Sequence, residues 1–316
     1  MAFPLGILAP SGSIFSPASP NAAAITHLFV ISLWICAVIF AIVAGLVGYS
    51  VVKYRWHEGD ADPVQLAGNK TVEIVWTIIP FLIVLVLFGL TVHAMNRSDP
   101  PLVGKPDLIV IGHQWWWEVR DPRHGFVTAN EIHIPVGREV SVELDTADVL
   151  HEFWVPELTR KITTVPGAGN HVWIEADRPG IYEGVCSEFC GTQHAWMRFE
   201  VVAQPPAQYD AWVRQQLQPA GAVSGDAAAG RKLFDQMTCV DCHGLNSTND
   251  APNAGPNLAH LGTRRLIASG VVTNTPANLR RWLTDPQLVK PGAKMPNFKL
   301  RPDQVNDLVA YLETLQ

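Results

Sequence analysis

The hydrophobic residues of this chain are concentrated in two long stretches near its N-terminus. Residues 28–52 and 74–95 contain no Lys, Arg, Asp or Glu. Each stretch is long enough to cross a lipid bilayer as a helix, and uncharged runs of this length are rare in the cores of soluble proteins. The pattern therefore predicts a hairpin of two transmembrane helices, with two buried helices of a soluble core as the weaker alternative.

After the second stretch, the pattern changes to short segments bounded by Gly, Pro and Asp. Six of them have the character of β-strands: 107–119, 131–135, 139–144, 171–174, 181–185 and 198–202. Many short strands with such turns are typical of a Greek-key sandwich or barrel. Loops on a rigid β scaffold often carry binding sites, so the loop between the last two strands is a natural place for a metal site.

The last third of the chain has helical periodicity. Helical patterns cover 208–217, 230–237 and 302–315, and residues 219–229 consist mainly of Ala, Gly, Pro, Ser and Val. A segment of that composition is typical of a flexible tether.

We therefore predict a multidomain membrane protein. Its four parts are an N-terminal segment with both transmembrane helices (1–97), an all-β domain (98–203), a helix with a flexible linker (204–229) and a small all-α domain (230–316).

The positions of the charged residues orient the hairpin. The first 52 residues carry no charge, whereas the segment between the two hydrophobic stretches contains Lys53, Arg55 and Lys70. Lys and Arg are enriched in cytoplasmic loops. We therefore expect this loop in the cytoplasm, and both termini and everything after Met95 on the outer side of the membrane.

A cluster of soft metal ligands begins at Cys186, where the chain reads CSEFCGTQHAWM. Cys186 and Cys190 supply thiolates, His194 an imidazole and Met197 a thioether, a combination that favours copper over magnesium, calcium or manganese. His151, in the segment ADVLHEFW, is the best candidate for a second imidazole. A disulfide, a zinc knuckle and two buried thiols are the alternatives, and the methionine argues against zinc.

A second cofactor motif lies in the C-terminal part. Cys239, Cys242 and His243 form the sequence CXXCH, the attachment signature of a c-type haem. Two thiols at this spacing add to the two vinyl groups of one porphyrin, and the adjacent histidine reaches the iron. Met295, in GAKMPNF, is the expected ligand on the opposite face, and His–Met ligation suits electron transfer. Zinc sites and thioredoxin-like motifs are the usual false positives of this pattern.

Together these features resemble subunit II of the haem-copper cytochrome c oxidases, in the form that carries a fused cytochrome c domain. The GPNL segment that begins at Gly255 and the C-terminal helix are similar to class I cytochrome c. In that family the first and last helices cross near a small residue, a role that Gly230 could fill against Tyr311. The resemblance covers nearly the whole chain and implies a cupredoxin-like Greek-key domain followed by a class I cytochrome c domain.

The resemblance also implies a set of metal ligands. Six residues would hold a dinuclear copper centre: Cys186 and Cys190 as bridges, His151 and His194 as terminal ligands, and Met197 and the backbone carbonyl of Glu188 as further ligands. The carboxylate of Glu188 would face a magnesium or manganese ion at the junction with subunit I. The CXXCH motif and Met295 would hold a covalently bound haem c.

Two further residues gain a role from the resemblance. Trp115, in GHQWWW, matches the tryptophan through which electrons enter from cytochrome c, although a packed aromatic strand explains the same residues equally well. Glu73, in VEIVW, matches the glutamate at the mouth of a proton path into subunit I. From the residues alone, Glu73 is a carboxylate at a helix start, where the helix dipole stabilises it.

The implied activity is that of an oxidoreductase and translocase subunit without an oxygen site of its own. Haem c would pass electrons to the dinuclear copper, and subunit I would then reduce oxygen to water and pump protons. The expected partners are subunits I and III, an external donor such as a cytochrome c or the cytochrome bc complex, and the lipid of a bacterial plasma membrane, with no nucleic acid. The alternatives are the equivalent subunit of a copper-containing nitric oxide reductase, a stand-alone membrane-anchored electron-transfer protein and a zinc-stabilised structural module.

The charges of the two outer domains are of opposite sign. Residues 99–203 contain sixteen acidic and eight basic residues, whereas 226–316 contain eight acidic and ten basic ones. Complementary charge steers encounters between domains, and a tether raises their effective concentration. We therefore expect the haem domain to dock transiently, through Lys and Arg, on an acidic face near Trp115. Alternatively, these charges only keep two outer domains soluble.

Overall fold

The computed structural model describes residues 12–62, 64–65, 67–102, 104–219, 225–248 and 254–316. The described residues form two compact units. One runs from Ala23 to Pro100, and the other combines the residues up to Ala22 with those from Pro101 to Gln316.

Two long apolar helices, α1 (Pro20–Lys53) and α2 (Lys70–Ser98), account for the N-terminal part. The side chain of Asn69 accepts hydrogen bonds from the amides of Thr71 and Val72, which caps the start of α2. Both helices are long and apolar enough to cross a membrane, and their central side chains are not buried in a protein core. The two predicted apolar helices are therefore present.

Ten strands then build an all-β domain of two five-stranded sheets. The strands are β1 (Leu108–His113), β2 (Trp116–Asp121), β3 (Phe126–Ala129), β4 (Glu131–Pro135), β5 (Val140–Thr146), β6 (His151–Trp154), β7 (Ile162–Thr164), β8 (Asn170–Ile174), β9 (Gly180–Cys186) and β10 (Arg198–Gln204). One sheet has the order β3-β2-β1-β5-β8 and the other β4-β10-β9-β6-β7. Two pairs, β1 with β5 and β4 with β10, are parallel.

An aromatic cluster fills the space between the two sheets. Trp117 lies 5.7 Å from Phe153 and 5.6 Å from Phe199, and the two phenylalanine rings are 4.6 Å apart, measured between ring centroids. All three side chains are fully buried. Each burial of this kind stabilises the fold by roughly 1.5–3 kcal/mol, which makes the domain a rigid support for its loops.

The prediction of one strand over 107–119 is wrong. The chain turns at Gln114 and Trp115, so that β1 and β2 pair in antiparallel register with His113 opposite Trp116. No Gly, Pro or Asp marks this turn, so the hydrophobic pattern runs through it without a break. Three short strands, β3, β6 and β7, were also missed because three or four residues are too few to show a period.

A helix on the β domain leads to the C-terminal domain. α3 (Pro206–Gln216) buries Tyr209 and Val213 against Phe126 of β3. The C-terminal domain contains α4 (Asp226–Gln236), the hairpin of β11 (Leu266–Ile267) and β12 (Val272–Thr273), α5 (Pro276–Thr284), α6 (Pro286–Val289) and α7 (Pro302–Glu313).

The first and last helices of this domain, α4 and α7, cross at Gly230. A Cβ atom at this position would lie 2.7 Å from Cβ of Tyr311 and would collide with the backbone of Asp307. Only glycine permits this approach, so the predicted crossing of Gly230 with Tyr311 is confirmed. The architecture is therefore the expected one: two apolar N-terminal helices, a β domain and a C-terminal helical domain.

Candidate functional site

Two cysteines and two histidines converge at one end of the β domain. Sγ of Cys186 lies 3.7 Å from Sγ of Cys190 and 3.9 Å from Nδ1 of His151. Sγ of Cys190 lies 3.7 Å from Nδ1 of His194. Both cysteines are free thiols, so they are not joined in a disulfide. The four side chains thus surround a common point as metal ligands do.

The two remaining predicted ligands lie in the same place. Sδ of Met197 is 3.9 Å from Sγ of Cys190, and the backbone carbonyl oxygen of Glu188 is 3.3 Å from Sγ of Cys186. Met197 is fully buried, whereas the carboxylate-bearing side chain of Glu188 is exposed. The structure therefore brings together all six residues that the sequence suggested.

Strand ends and one loop position these ligands. His151 is the first residue of β6 and Cys186 the last of β9, and Phe153 pairs with Cys186 in the ladder between these strands. The other ligands follow in the loop between β9 and β10, where a short 3₁₀ helix, His194–Trp196, turns the chain back. The predicted placement between the last two strands is confirmed.

A carboxylate behind His151 fixes the orientation of its ring. Oδ1 of Asp148 lies 2.8 Å from Nε2 of His151, which leaves Nδ1 facing Cys186. Burial opposes ionisation of Asp148, but hydrogen bonds from His151 and from the amides of Gln114 and Val149 hold its pKa below the usual value. Ligating histidines commonly have such a carboxylate partner, which also increases their basicity.

The two thiols differ in acidity because they share a hydrogen bond. The contact with Cys190 holds the pKa of Cys186 far below its ordinary value despite burial, and His151 contributes in the same direction. The same contact, together with burial, raises the pKa of Cys190. One thiolate is therefore available at neutral pH, and the other proton must leave when a metal binds.

This donor set fits copper. Two thiols, two imidazoles and a thioether are soft or borderline ligands, and the methionine argues against a structural zinc site. His151, Cys186 and Cys190 are all buried, and their ligand atoms lie within 4.8 Å of one another. The bridging roles of the two cysteines remain a prediction.

The haem motif lines a cavity of about 440 Å³ in the C-terminal domain. Cys239, Cys242, His243 and Met295 all contribute to its wall. A volume of this order is usual for cofactor pockets. The four residues predicted to hold haem c therefore face one common space.

Backbone contacts position His243 for an axial role. Nδ1 of His243 lies 2.8 Å from the carbonyl oxygen of Pro256, which makes Nε2 the nitrogen left for an iron. A Cβ atom at Gly255 would lie 2.6 Å from this ring. Burial lowers the pKa of His243, so the ring is neutral and able to ligate. These features fit a haem with His243 as its proximal ligand.

The β domain closes one side of the haem cavity. Gln114, Trp115, Trp116, Ala129, Asn130 and Gln193 belong to the β domain and line the cavity. Trp115 also contacts the copper loop, because its indole Nε1 donates to the carbonyl of Cys190 at 3.0 Å. One half-buried tryptophan therefore lies between the cavity lined by the CXXCH motif and Cys190, a predicted copper ligand.

Three residues of the helical domain, two of them lysines, contact Trp115 from the other side. Nζ of Lys290 donates to the carbonyl oxygen of Trp115 at 3.1 Å, and Oγ of Ser269 donates to the same oxygen at 2.8 Å. Nζ of Lys294 lies 5.6 Å from the centre of the Trp115 ring, a cation–π distance. The contact of Lys side chains with the β domain near Trp115 is thus observed.

An ion pair also links the two domains. Arg265 binds Glu200 through two nitrogens, with Nε 3.0 Å from Oε2, and its backbone amide donates to Oε1 of Glu131 at 2.8 Å. Burial raises the pKa of Glu200 although Arg265 pairs with it. The acidic and basic residues of opposite domains therefore meet at this junction.

Glu73 stands apart from these sites. It lies in the first turn of α2, and its side chain is exposed in the described part of the chain. It lies beside Lys70, Thr77 and Ile78 in a shallow surface depression. Its role in a proton path remains a prediction.

Sequence reasoning missed the residues that orient the ligands and join the domains. Asp148 precedes His151 by three residues, so a carboxylate close to a ligand histidine was a usable signal. Lys290, Arg265 and Glu200 gave no such signal, because their contacts join positions far apart in the chain.

Comparisons with known families agree with this organisation. Residues 10–92 match the family described as cytochrome C oxidase subunit II, transmembrane domain, and 124–204 match cytochrome C oxidase subunit II, periplasmic domain. Residues 227–316 match the family cytochrome c.

Whole-chain relatives show the same similarity. The chain is 37% identical over 309 residues to cytochrome c oxidase subunit 2 of Alkalihalophilus pseudofirmus, covering 95% of this chain and 90% of that protein. It is 33% identical over 289 residues to cytochrome c oxidase subunit 2 of Bacillus sp. (strain PS3), covering 83% and 80%. A solved structure, the periplasmic domain of subunit II of cytochrome oxidase of Bradyrhizobium japonicum, matches with 30% identity and a TM-score of 0.34, covering 36% of this chain and 96% of that one.

Gly112 provides a test of the His151 position. A Cβ atom at Gly112 would lie 2.6 Å from Cδ2 of His151, whose ring is fully buried and cannot retreat. We expect G112A to weaken copper binding about 10- to 100-fold, the usual effect of disturbing a residue that orients a ligand. Competition with a copper chelator, followed by metal analysis, measures the change.

The matched control is G169A, because a Cβ atom at Gly169 meets nothing within 4 Å. It should bind copper as tightly as the unmodified protein. Equal copper affinity in G112A and G169A would contradict the assignment of His151.

The ion pair of Arg265 with Glu200 gives a test of the junction. In R265E a new carboxylate would face the buried carboxylates of Glu200 and Glu131, which should cost on the order of 2 kcal/mol and open the contact. The amides of Arg198 and of residue 265 bond across the junction, to Ser269 and Glu131. Their hydrogen exchange, measured by mass spectrometry, should accelerate at least roughly tenfold.

The control is R280E, an exposed arginine of α5 whose contact, with Asn306, stays within the helical domain. Exchange at the junction should not change in R280E. If these amides exchange as slowly in R265E as in the unmodified protein, the ion pair does not hold the domains together.

Proposed function

The chain belongs to the cytochrome c oxidase subunit II family and is a component of an oxidoreductase complex, and we propose that it is the subunit through which electrons enter a proton-pumping oxidase. Electrons from an external donor would reach haem c in the C-terminal domain, then the dinuclear copper in the β domain, and then subunit I, where oxygen is reduced to water. The observation that carries this proposal is the position of Trp115, shared by the wall of the haem cavity and by the copper loop.

The family implies haem and copper, and the residues described above fit both. When bound, the two cofactors supply one-electron redox chemistry. Cys239 and Cys242 would attach the haem, and His243 and Met295 would supply ligands to its iron. The protein would fix the positions, the surroundings and the potentials of these centres.

Burial supports the assignment of the copper ligands. His151, Cys186, Cys190 and Met197 are each at most 5% exposed. Water is therefore kept from most of the ligand set, and a rigid, dry shell requires little rearrangement when the charge of the metal changes. Such a setting suits rapid electron transfer more than substrate binding, which needs an open coordination position.

The first electron step within the chain would run from the C-terminal domain to the β domain. The indole ring of Trp115 lies in the haem cavity wall, and its Nε1–H donates to the carbonyl of Cys190. Gln114 donates to the same carbonyl through Nε2 at 2.9 Å. Within the protein, these contacts would connect Trp115 in the cavity wall to Cys190 through covalent bonds and one hydrogen bond.

The partners and the sidedness follow from the family and from the charges of the membrane hairpin. We infer that subunits I and III and membrane lipid surround α1 and α2, and that both cofactor domains face the periplasmic side of a bacterial plasma membrane. Glu188 would face a magnesium or manganese ion at the junction with subunit I, and Glu73 would lie at the cytoplasmic mouth of a proton path.

A copper-containing nitric oxide reductase is the second candidate, because its corresponding subunit would need the same ligands in this chain. The metal at the active site of the partner subunit separates the two. A membrane-anchored protein without an enzyme partner would leave Glu73 and the exposed Glu188 without a role.

Electron paramagnetic resonance of the purified complex tests the proposal. The oxidised protein should show hyperfine structure from one unpaired electron shared by two copper ions, and the visible spectrum should show a c-type haem. The complex should consume oxygen when a reduced cytochrome c is added. A mononuclear copper pattern, or a colourless protein, would overturn the assignment.

A further inference from the structure

The copper loop contains a buried glutamine that is not among the six expected copper ligands. Gln193 directly precedes His194 in the chain, and its side chain is 1% exposed. A buried carboxamide needs acceptors inside the protein for both of its N–H bonds. The positions of those acceptors therefore identify the segment that Gln193 holds.

Both acceptors belong to the C-terminal domain. Nε2 of Gln193 donates to the backbone carbonyl of Lys290 at 3.0 Å and also to the backbone carbonyl of Pro291. These two residues begin the segment 290–295, which ends at Met295, the expected haem ligand. One buried side chain of the copper loop therefore binds the main chain that carries a haem ligand.

Segment 290–295 also approaches the copper loop closely. A Cβ atom at Gly292 would lie 3.2 Å from Cγ2 of Thr192 and 3.6 Å from Cγ of Gln193. Gly292 has a φ of +87°, a conformation that residues with a side chain rarely adopt. The absence of a side chain thus lets the backbone of this segment lie directly against the loop.

The segment depends on side-chain contacts for its position. Residues 290–295 are all described by the structure, and they form neither a helix nor a strand. From its own domain, Gln287 donates to the carbonyl of Ala293 and accepts from the amide of Gly292, both at 2.8 Å. From the β domain, Gln193 binds the first two residues. Segments without regular structure open locally at low cost unless such contacts fix them.

The position of this segment matters for Met295. Its side chain is half-buried and lines the cavity together with the CXXCH residues. Methionine sulfur is a weak ligand, and the residues behind a ligand decide how firmly it is held at a metal. A residue that fixes segment 290–295 therefore acts on the haem through Met295.

We propose that Gln193 is a positioning residue for the haem: it holds segment 290–295 so that Met295 stays at the iron. The copper loop of the β domain then maintains the ligation of the haem in the neighbouring domain. The inference rests on the proposed ligation by Met295. Because His–Met ligation raises the potential of a haem, the high potential depends on the contact between the C-terminal domain and the copper loop.

Displacement of Met295 by added imidazole tests this role in the full-length chain carrying both cofactors. Imidazole binds the ferric haem only where the methionine has left the iron, so its apparent affinity reports how firmly Met295 is held. Q193L removes both hydrogen bonds and introduces no new metal ligand. We expect imidazole to bind Q193L about tenfold more tightly, the effect of losing one or two hydrogen bonds. The visible spectrum, including the iron–thioether charge-transfer band, measures the exchange.

The control is Q215L, which changes an exposed glutamine of α3. Its affinity for imidazole should match that of the unmodified protein. R265E provides a second test that leaves the copper loop unaltered. Opening the junction withdraws Gln193 from segment 290–295, so imidazole should again bind more tightly. Q193L combined with R265E should add little to R265E alone, because both changes remove the same contact.

The same imidazole affinity in Q193L as in Q215L would overturn this inference, and so would full additivity of Q193L and R265E. Both results leave the proposed function intact. If Q193L fails to bind copper, R265E decides, and an unchanged affinity with an open junction overturns the inference. The absence of the iron–thioether band from the unmodified protein would instead overturn the proposed ligation by Met295, and this inference with it.

Discussion

The hydrogen bond from the indole of Trp115 to the carbonyl of Cys190 lies at the point where the two proposed cofactor sites meet. It joins the loop that carries the proposed copper ligands to the wall of the cavity proposed to hold the haem. Around it, Lys290 and Ser269 bond to the carbonyl of Trp115, and Gln114 bonds to the same carbonyl of Cys190. A small displacement of this tryptophan would therefore disturb both centres, and rigidity here follows from many weak contacts acting together.

Burial of charge sets the second constraint. Glu200 and Arg265 meet at the junction in a pair whose acidic partner is 2% exposed, and such pairs specify a geometry more reliably than they add stability. A transient encounter would need exposed charges that separate easily in salt. The junction instead combines this pair with backbone hydrogen bonds and an aromatic contact, which favours one persistent arrangement of the two domains.

The sequence was sufficient for the parts of the protein that depend on local pattern. The apolar helices α1 and α2, the loop with Cys186 and Cys190, and the CXXCH motif were all found, because spacing along the chain determines them. The turn at Gln114 and Trp115 was not found, since no turn residue marks it. The contacts of Lys290 were also missed, because they join positions far apart in the chain and no period or motif marks them.

In the proposed function, one chain carries an electron from haem c to copper through a fixed junction. Laser-flash reduction of the haem in the purified protein, followed at haem and copper wavelengths, measures this transfer. The haem should be reoxidised as copper is reduced, one electron for one, at a first-order rate that does not depend on protein concentration or ionic strength. A rate that rises with protein concentration, or a haem that stays reduced while copper remains oxidised, would contradict it.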